Sequence, residues 1–94
     1  MDIKHAPLLT LYGRGYCHLC EDMEAALLAL RGEFDFELEV IDVDSSPSHE
    51  TQFGERIPVL AHGDTELCHY FLDRPAVRRY LSALSGTVPG EATS

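Results

Sequence analysis

Ninety-four residues fit one compact domain over 1–85 with a short tail, and leave no room for a second. Sixteen acidic against seven basic side chains give a formal charge of −9, which opposes non-specific binding to nucleic acid or to an anionic membrane. No apolar run is long enough to span a bilayer and Met1 to Pro7 has no signal pattern, so the expectation is a cytoplasmic monomer with neither nucleic-acid nor membrane partners.

Leu8 to Tyr12 is almost continuously apolar, as a central strand covered on both faces should be. Gly13, Arg14 and Gly15 make a turn, and Cys17-His18-Leu19-Cys20 follows. From Cys17 to Leu30 the residues Cys20, Met23, Leu27 and Leu30 recur at helical spacing, with Glu21, Asp22 and Glu24 on the opposite side; Gly32 stops this helix. Phe36 to Val40 alternates strictly and Ile41 to Val43 continues it as a second strand, closing a strand–helix–strand unit. A polar loop over 44–48 leads to a short helix ending at Gly54. Ile57 to Ala61 is a third strand, Gly63-Asp64 carries hairpin-turn chemistry, and Leu67 to Leu72 reads as a fourth strand with Tyr70 and Phe71 on opposite faces. Asp73 and Pro75 open a last helix, whose apolar stripe Ala76, Val77, Tyr80, Leu81 and Leu84 runs to Ser85. Residues 86–94 hold Gly, Pro, Thr and Ser with little to bury and read as a disordered tail.

The cysteine pair carries the chemistry. Two thiols one turn apart at a helix start lie on one face within disulfide reach, where unpaired backbone N–H groups and the positive end of the helix dipole favour a thiolate. An odd count of three cysteines, with no disulfide framework, agrees with a reducing compartment, where such a pair is catalytic or metal-binding before it is structural. Cys17 is the exposed attacking thiol and Cys20 the resolving one. Arg14 and His18 add positive potential near Cys17, and Glu21 and Asp22 oppose it.

A strand, a Cys-x-x-Cys helix and the order β-α-β-α-β-β-α resemble the thioredoxin fold: an α/β protein with a four-stranded mixed sheet and helices on both faces. Leu11 to Cys20 and Arg56-Ile57-Pro58-Val59 narrow the resemblance to the glutaredoxins, and within them to the small glutaredoxin-like domains of bacteria, over residues 8 to 85. The resemblance implies a dithiol–disulfide oxidoreductase with catalytic Cys17 and Cys20 and no tightly bound cofactor. It implies protein or glutathione mixed disulfides as substrates, a reductase or glutathione as partner, and a substrate-binding edge of Arg14, Tyr16, Ile57 and Pro58. Pro58 takes the place of a cis-proline facing the cysteines, and Ile57 that of the residue whose backbone pairs with a bound substrate.

Departures from the glutaredoxin pattern keep other readings open. Arg14 matches the basic residue that holds glutathione. Arg56, however, replaces a threonine before Ile57-Pro58, and Leu67 to Asp73 lacks the diglycine whose N–H groups approach a glutathione carboxylate, so glutathione is only a possible co-substrate. A thioredoxin-like binding module with inactive cysteines is the first alternative. Zinc binding is the second, with Cys68, His69 and His62 as further candidate ligands, although Cys68 and His69, adjacent on a strand, should face opposite ways. Cys68 otherwise reads as a small buried side chain, and His5, His49 and His62 as surface residues.

Overall fold

The computed structural model describes residues 6–85; His5 and the expected tail over 86–94 lie outside them. Along these residues run β1 (Leu8–Gly13), α1 (His18–Leu30), β2 (Glu37–Asp42), a single 3-10 turn (Val43–Ser45), α2 (Pro47–Phe53), β3 (Val59–His62), β4 (Thr65–His69) and α3 (Arg74–Ser85). The strands lie in the order β2-β1-β3-β4. β1 runs parallel to β2 and antiparallel to β3, and β4 closes a hairpin with β3. This is the mixed four-stranded sheet that the sequence predicts.

β1 is apolar on both sides because both sides are covered. Leu9 and Leu11 pack with Met23, Leu27 and Leu30 of α1, Val77 and Leu81 of α3, and Phe36 and Leu60. Tyr12 points the other way, against a second cluster of Val43, Phe53 and Val59 with Ile57 beside it. The period of two along β1 thus divides the core into one layer under α1 and α3 and another under α2. Tyr12 and Phe53 stack with ring centroids 4.0 Å apart and 19° between planes, and the His49 ring lies 5.4 Å from Tyr12. His49 is half-buried here rather than on the surface.

β2 departs from its alternating sequence. Leu38 packs on the first cluster, but Val40, which should share its face, is 51% exposed. β2 is an edge strand in the sheet order β2-β1-β3-β4.

The hairpin turns at Gly63, whose φ of 61° suits a residue without a Cβ. The fourth strand, however, is Thr65–His69 rather than the expected 67–72. It stops because Tyr70 takes a φ of 67° and the Phe71 N–H donates back to the His69 carbonyl at 2.7 Å. That three-residue turn breaks the alternation, so Tyr70 and Phe71 are both exposed instead of one facing the core.

At the start of α3 the Asp73 carboxylate accepts from the Ala76 N–H at 3.1 Å, the cap the sequence predicts, with Pro75 in the first turn. Asp73→Ala should cost about 1 kcal/mol, the usual worth of such a cap, measured as a lower midpoint in urea unfolding at unchanged slope. Further along α3, the Tyr80 hydroxyl lies 2.7 Å from His62 Nδ1. His62 therefore ties the end of β3 to α3 instead of lying free on the surface.

Candidate active site

The site is assembled on one end of the sheet. β1 ends at Gly13, paired with Asp42 of β2. Continuing the β1–β3 register past Tyr12–Val59 brings Pro58 opposite Gly13. Continuing the β3–β4 register past Val59–His69 brings Tyr70 opposite Pro58, where the Tyr70 N–H donates to the Pro58 carbonyl at 2.8 Å. Asp42, Gly13, Pro58 and Tyr70 thus form a row across the sheet end, with neighbours about 5 Å apart.

The cysteine pair rests on this row. A Cβ built on Gly13 would lie 2.8 Å from Cys20 Sγ and 3.1 Å from Cys20 Cβ, so Cys20 occupies the space that any side chain at 13 would need. Gly13 lies on the same face of β1 as Leu9 and Leu11, which places Cys20 at the margin of the α1 layer, where it is buried. Pro58 is fully buried, and the Ile57–Pro58 peptide bond is cis, as the resemblance implies.

Cys17 is the N-cap of α1, with extended backbone at φ −112° and ψ 114°. Its Sγ accepts from the Cys20 N–H at 3.1 Å, and its carbonyl accepts from the Glu21 N–H at 3.0 Å. The sulfur therefore holds the position that a serine or aspartate oxygen holds in an ordinary cap, at the positive end of the helix. Cys17 and Cys20 are joined as a disulfide with Cα atoms 5.2 Å apart, well within the span such a bond requires. Cys17 is the more exposed of the two.

Charged side chains near the pair are mostly occupied elsewhere. The Arg14 guanidinium donates to Asp44 at 3.2 Å, to the Gly54 carbonyl at 3.4 Å, and to Glu50. Asp44 above all, then Glu50, hold it charged beyond the ordinary arginine range against its partial burial. Arg14 thus joins the end of β1 to the 3-10 turn and α2, and three protein acceptors compete with any substrate for it. His18 is almost wholly exposed and lies 3.9 Å from Glu21, where solvent leaves such a pair little strength. At Cys17 the backbone N–H groups of the helix start favour negative charge, and Glu21 in the same turn opposes it.

Arg14 and Tyr16 line an open groove with Val43, Asp44, Ser46, Pro47 and Glu50. Tyr16 is 81% exposed and stands at the mouth of this groove rather than packing on the domain. On the other side of the row, Arg56 is paired with Glu66, donates to the Gln52 carbonyl at 3.1 Å, and lies over the Phe53 ring. Burial pushes the Glu66 carboxyl up, but hydrogen bonds from Arg56 and His69 outweigh it, and its pKa falls below the ordinary range.

Among the described residues no three His, Cys, Asp or Glu side chains gather to hold a metal ion. Cys68 packs against the larger core cluster, and burial raises its thiol pKa. His69 turns away to Glu66 at 2.7 Å, so the two face opposite ways as their adjacency on a strand predicts.

The sequence reading placed Cys17, Cys20, Ile57 and Pro58 in one site; the structure joins Cys17 to Cys20 and sets Pro58 opposite Gly13, on which Cys20 rests. The sequence reading missed Gly13 as the seat of Cys20, Asp44 and Glu50 as the partners of Arg14, and the turn at Tyr70. A glycine closing an apolar strand just before the cysteines is the signal that marks the first of these. The other two depend on contacts between residues 30 or more apart, or on a backbone angle that tyrosine rarely adopts.

Comparison with known proteins agrees with this architecture. No curated protein matches the sequence significantly. The chain is similar to protein Ne2328 from Nitrosomonas europaea, at 45% identity over 87% of this chain and 100% of that one, with a TM-score of 0.76. It is also similar to XcR50 from X. campestris, at 34% identity over 80% and 96% of the two chains, with a TM-score of 0.62. Thioredoxin 1 from Thermosipho africanus, at 21% identity over 83% and 98% and a TM-score of 0.58, shares the fold. The model of the glutaredoxin-like domain (DUF836) matches residues 8–82. With a thioredoxin fold and a Cys17–Cys20 pair suited to redox chemistry, the chain belongs to the glutaredoxin-like domain family.

Proposed function

We propose that this protein is a dithiol–disulfide oxidoreductase that reduces disulfides, with Cys17 as the attacking thiolate and Cys20 as the resolving thiol. The observation that carries this reading is the position of the Cys17 sulfur at the N-cap of α1, accepting the Cys20 N–H at 3.1 Å, with Cys20 buried behind it. In the reduced protein the same N–H and helix end stabilise a thiolate, which is the reactive form.

The reaction runs in two exchanges. The Cys17 thiolate attacks one sulfur of a substrate disulfide; the substrate S–S bond breaks, a Cys17–substrate disulfide forms, and the departing sulfur takes a proton from solvent. Cys20, deprotonated, then attacks the Cys17 sulfur. The Cys17–Cys20 disulfide forms and the second substrate thiol leaves, so two electrons pass from the dithiol to the substrate. Two external thiols, those of a reductase dithiol or of two glutathione molecules, restore the dithiol by the reverse sequence and leave as a disulfide. Among the described residues the backbone of Ile57 makes no hydrogen bond, and its N–H and carbonyl are available to pair with an extended substrate segment beside Pro58.

Equilibration of the full-length protein in glutathione redox buffers tests the reading, with free thiols counted by alkylation and mass. The expected result is a single reversible two-electron transition in which Cys17 and Cys20 lose and regain their thiols together while Cys68 stays reduced. If Cys17 and Cys20 form no reversible disulfide with each other, the oxidoreductase reading is wrong, and the groove beside Pro58 serves binding alone.

A further inference from the structure

Resting on the oxidoreductase reading, we infer that Tyr70 and Phe71 make the site selective for polypeptide disulfides that carry an apolar or aromatic side chain beside the cysteine, at the expense of glutathione. Three observations lead to this. The first is backbone strain. Tyr70 holds a φ of 67°, a conformation that costs a bulky residue energy and that glycine adopts freely. A tyrosine kept there by its surroundings marks a place where the side chain has a use.

The second is where that side chain goes. The Tyr70 N–H is bonded to the Pro58 carbonyl at 2.8 Å, and its hydroxyl donates to the Glu55 carbonyl at 3.2 Å. The ring therefore spans the segment 55–58, whose Ile57 backbone is the edge offered to a substrate. The ring is 43% exposed and the next residue, Phe71, is 68% exposed. The Tyr70 ring packs edge-on against His69 of β4, with centroids 4.6 Å apart, and what it leaves uncovered, together with Phe71, is exposed aromatic surface at the end of the sheet that carries Pro58.

The third is charge. Glutathione carries two carboxylates, and the groups that would receive them are committed. Tyr70 and Phe71 both spend their N–H groups on backbone carbonyls. Arg14 is held by Asp44 and Glu50, and Arg56 by Glu66. With Asp44 and Glu50 opposite one arginine, the groove on the Arg14 side keeps an excess negative charge, in a chain whose net charge is −9. An anionic tripeptide is disfavoured there, and a basic side chain is favoured. The occupant that fits both sides is an extended polypeptide segment. Its backbone pairs with Ile57, an apolar side chain lies on Tyr70 and Phe71, and a lysine or arginine reaches toward Asp44 and Glu50.

The test uses the reduced full-length protein and three mixed disulfides that share 2-mercaptoethanol as leaving group. One is made with a lysine-containing peptide bearing Phe next to its Cys, one with the same peptide bearing Gly in that place, and one with glutathione. The wild type should react with the Phe peptide about tenfold faster than with the other two, the size of one well-placed aromatic contact. Phe71→Ala, at an exposed position that folding does not need, should bring the Phe-to-Gly ratio down toward one. Tyr70→Gly should shift the preference toward glutathione, and circular dichroism checks that it folds. Equal rates with all three substrates, a preference for glutathione, or a ratio unmoved in Phe71→Ala overturns the inference while leaving the oxidoreductase reading intact. No exchange with any of them, nor with bis(2-hydroxyethyl) disulfide, overturns both.

Discussion

Cys17→Ser should abolish disulfide reduction, lowering the rate by about three orders of magnitude or more, as removal of a nucleophile does. Cys20→Ser should instead stop the reaction halfway. A serine hydroxyl at 17 is not ionised near neutral pH and cannot replace the thiolate that Cys17 forms at the N-cap, even with the Cys20 N–H donor still in place. Without the Cys20 thiol, Cys17 still attacks, but nothing in the protein releases the mixed disulfide, because Cys68 is held in β4 against the core with its pKa raised by burial. Intact mass should therefore show one stable substrate adduct on Cys20→Ser and none on Cys17→Ser. If the adduct forms on Cys17→Ser, the order of attack is reversed, and the exposure and capping arguments both fail. Neither substitution should alter the fold: Cys17 is a cap that serine fills well, and Cys20 to Ser changes little volume.

The difference in burial within the pair was legible in the sequence because it depends on local geometry. Cys20 shares a helical face with Met23, Leu27 and Leu30, so burial of one thiol and exposure of the other follow from the period of the helix. The central position of β1 was likewise legible, since only a strand covered on both sides is apolar throughout. What escaped is governed by distant contacts. Arg14 reads as a free cation beside Cys17 because nothing in its neighbourhood along the chain announces Asp44 or Glu50, 30 and 36 residues away. The fourth strand was drawn too long because Leu67 to Leu72 is apolar or aromatic apart from His69. Only the turn at Tyr70, closed by the Phe71 N–H on the His69 carbonyl, ends it at His69. His62 and His49 were assigned to the surface for the same reason: Tyr80 and Tyr12, which cover them, lie far off in sequence.

Gly13 ties the packing of the domain to the second half of its chemistry. In Gly13→Ala the new methyl group would meet Cys20 Sγ at 2.8 Å and Cys20 Cβ at 3.1 Å. Carbon and sulfur do not approach so closely without one of them moving, and Cys20 is fixed within the first turn of α1. Replacing glycine in a strand ordinarily gains some stability, about 0.5–1 kcal/mol, but overpacking a buried contact costs about 1–3 kcal/mol. The balance falls on the side of destabilisation, by about 1–2 kcal/mol, and each kcal/mol should lower Tm by about 4–8 °C in a domain of this size. Gly15→Ala is the matched control, because a Cβ there meets nothing within 4 Å, and its effect should stay within about 0.5 kcal/mol. The two substitutions should also separate in kinetics. Displacing Cys20 leaves Cys17 at its cap and the first exchange nearly intact, but it moves the resolving sulfur off line. Mixed disulfide should therefore accumulate during turnover in Gly13→Ala and not in Gly15→Ala. A Gly13→Ala protein as stable as wild type that resolves its mixed disulfide at the wild-type rate would show that Cys20 has room to move, and that the end of β1 does not position it.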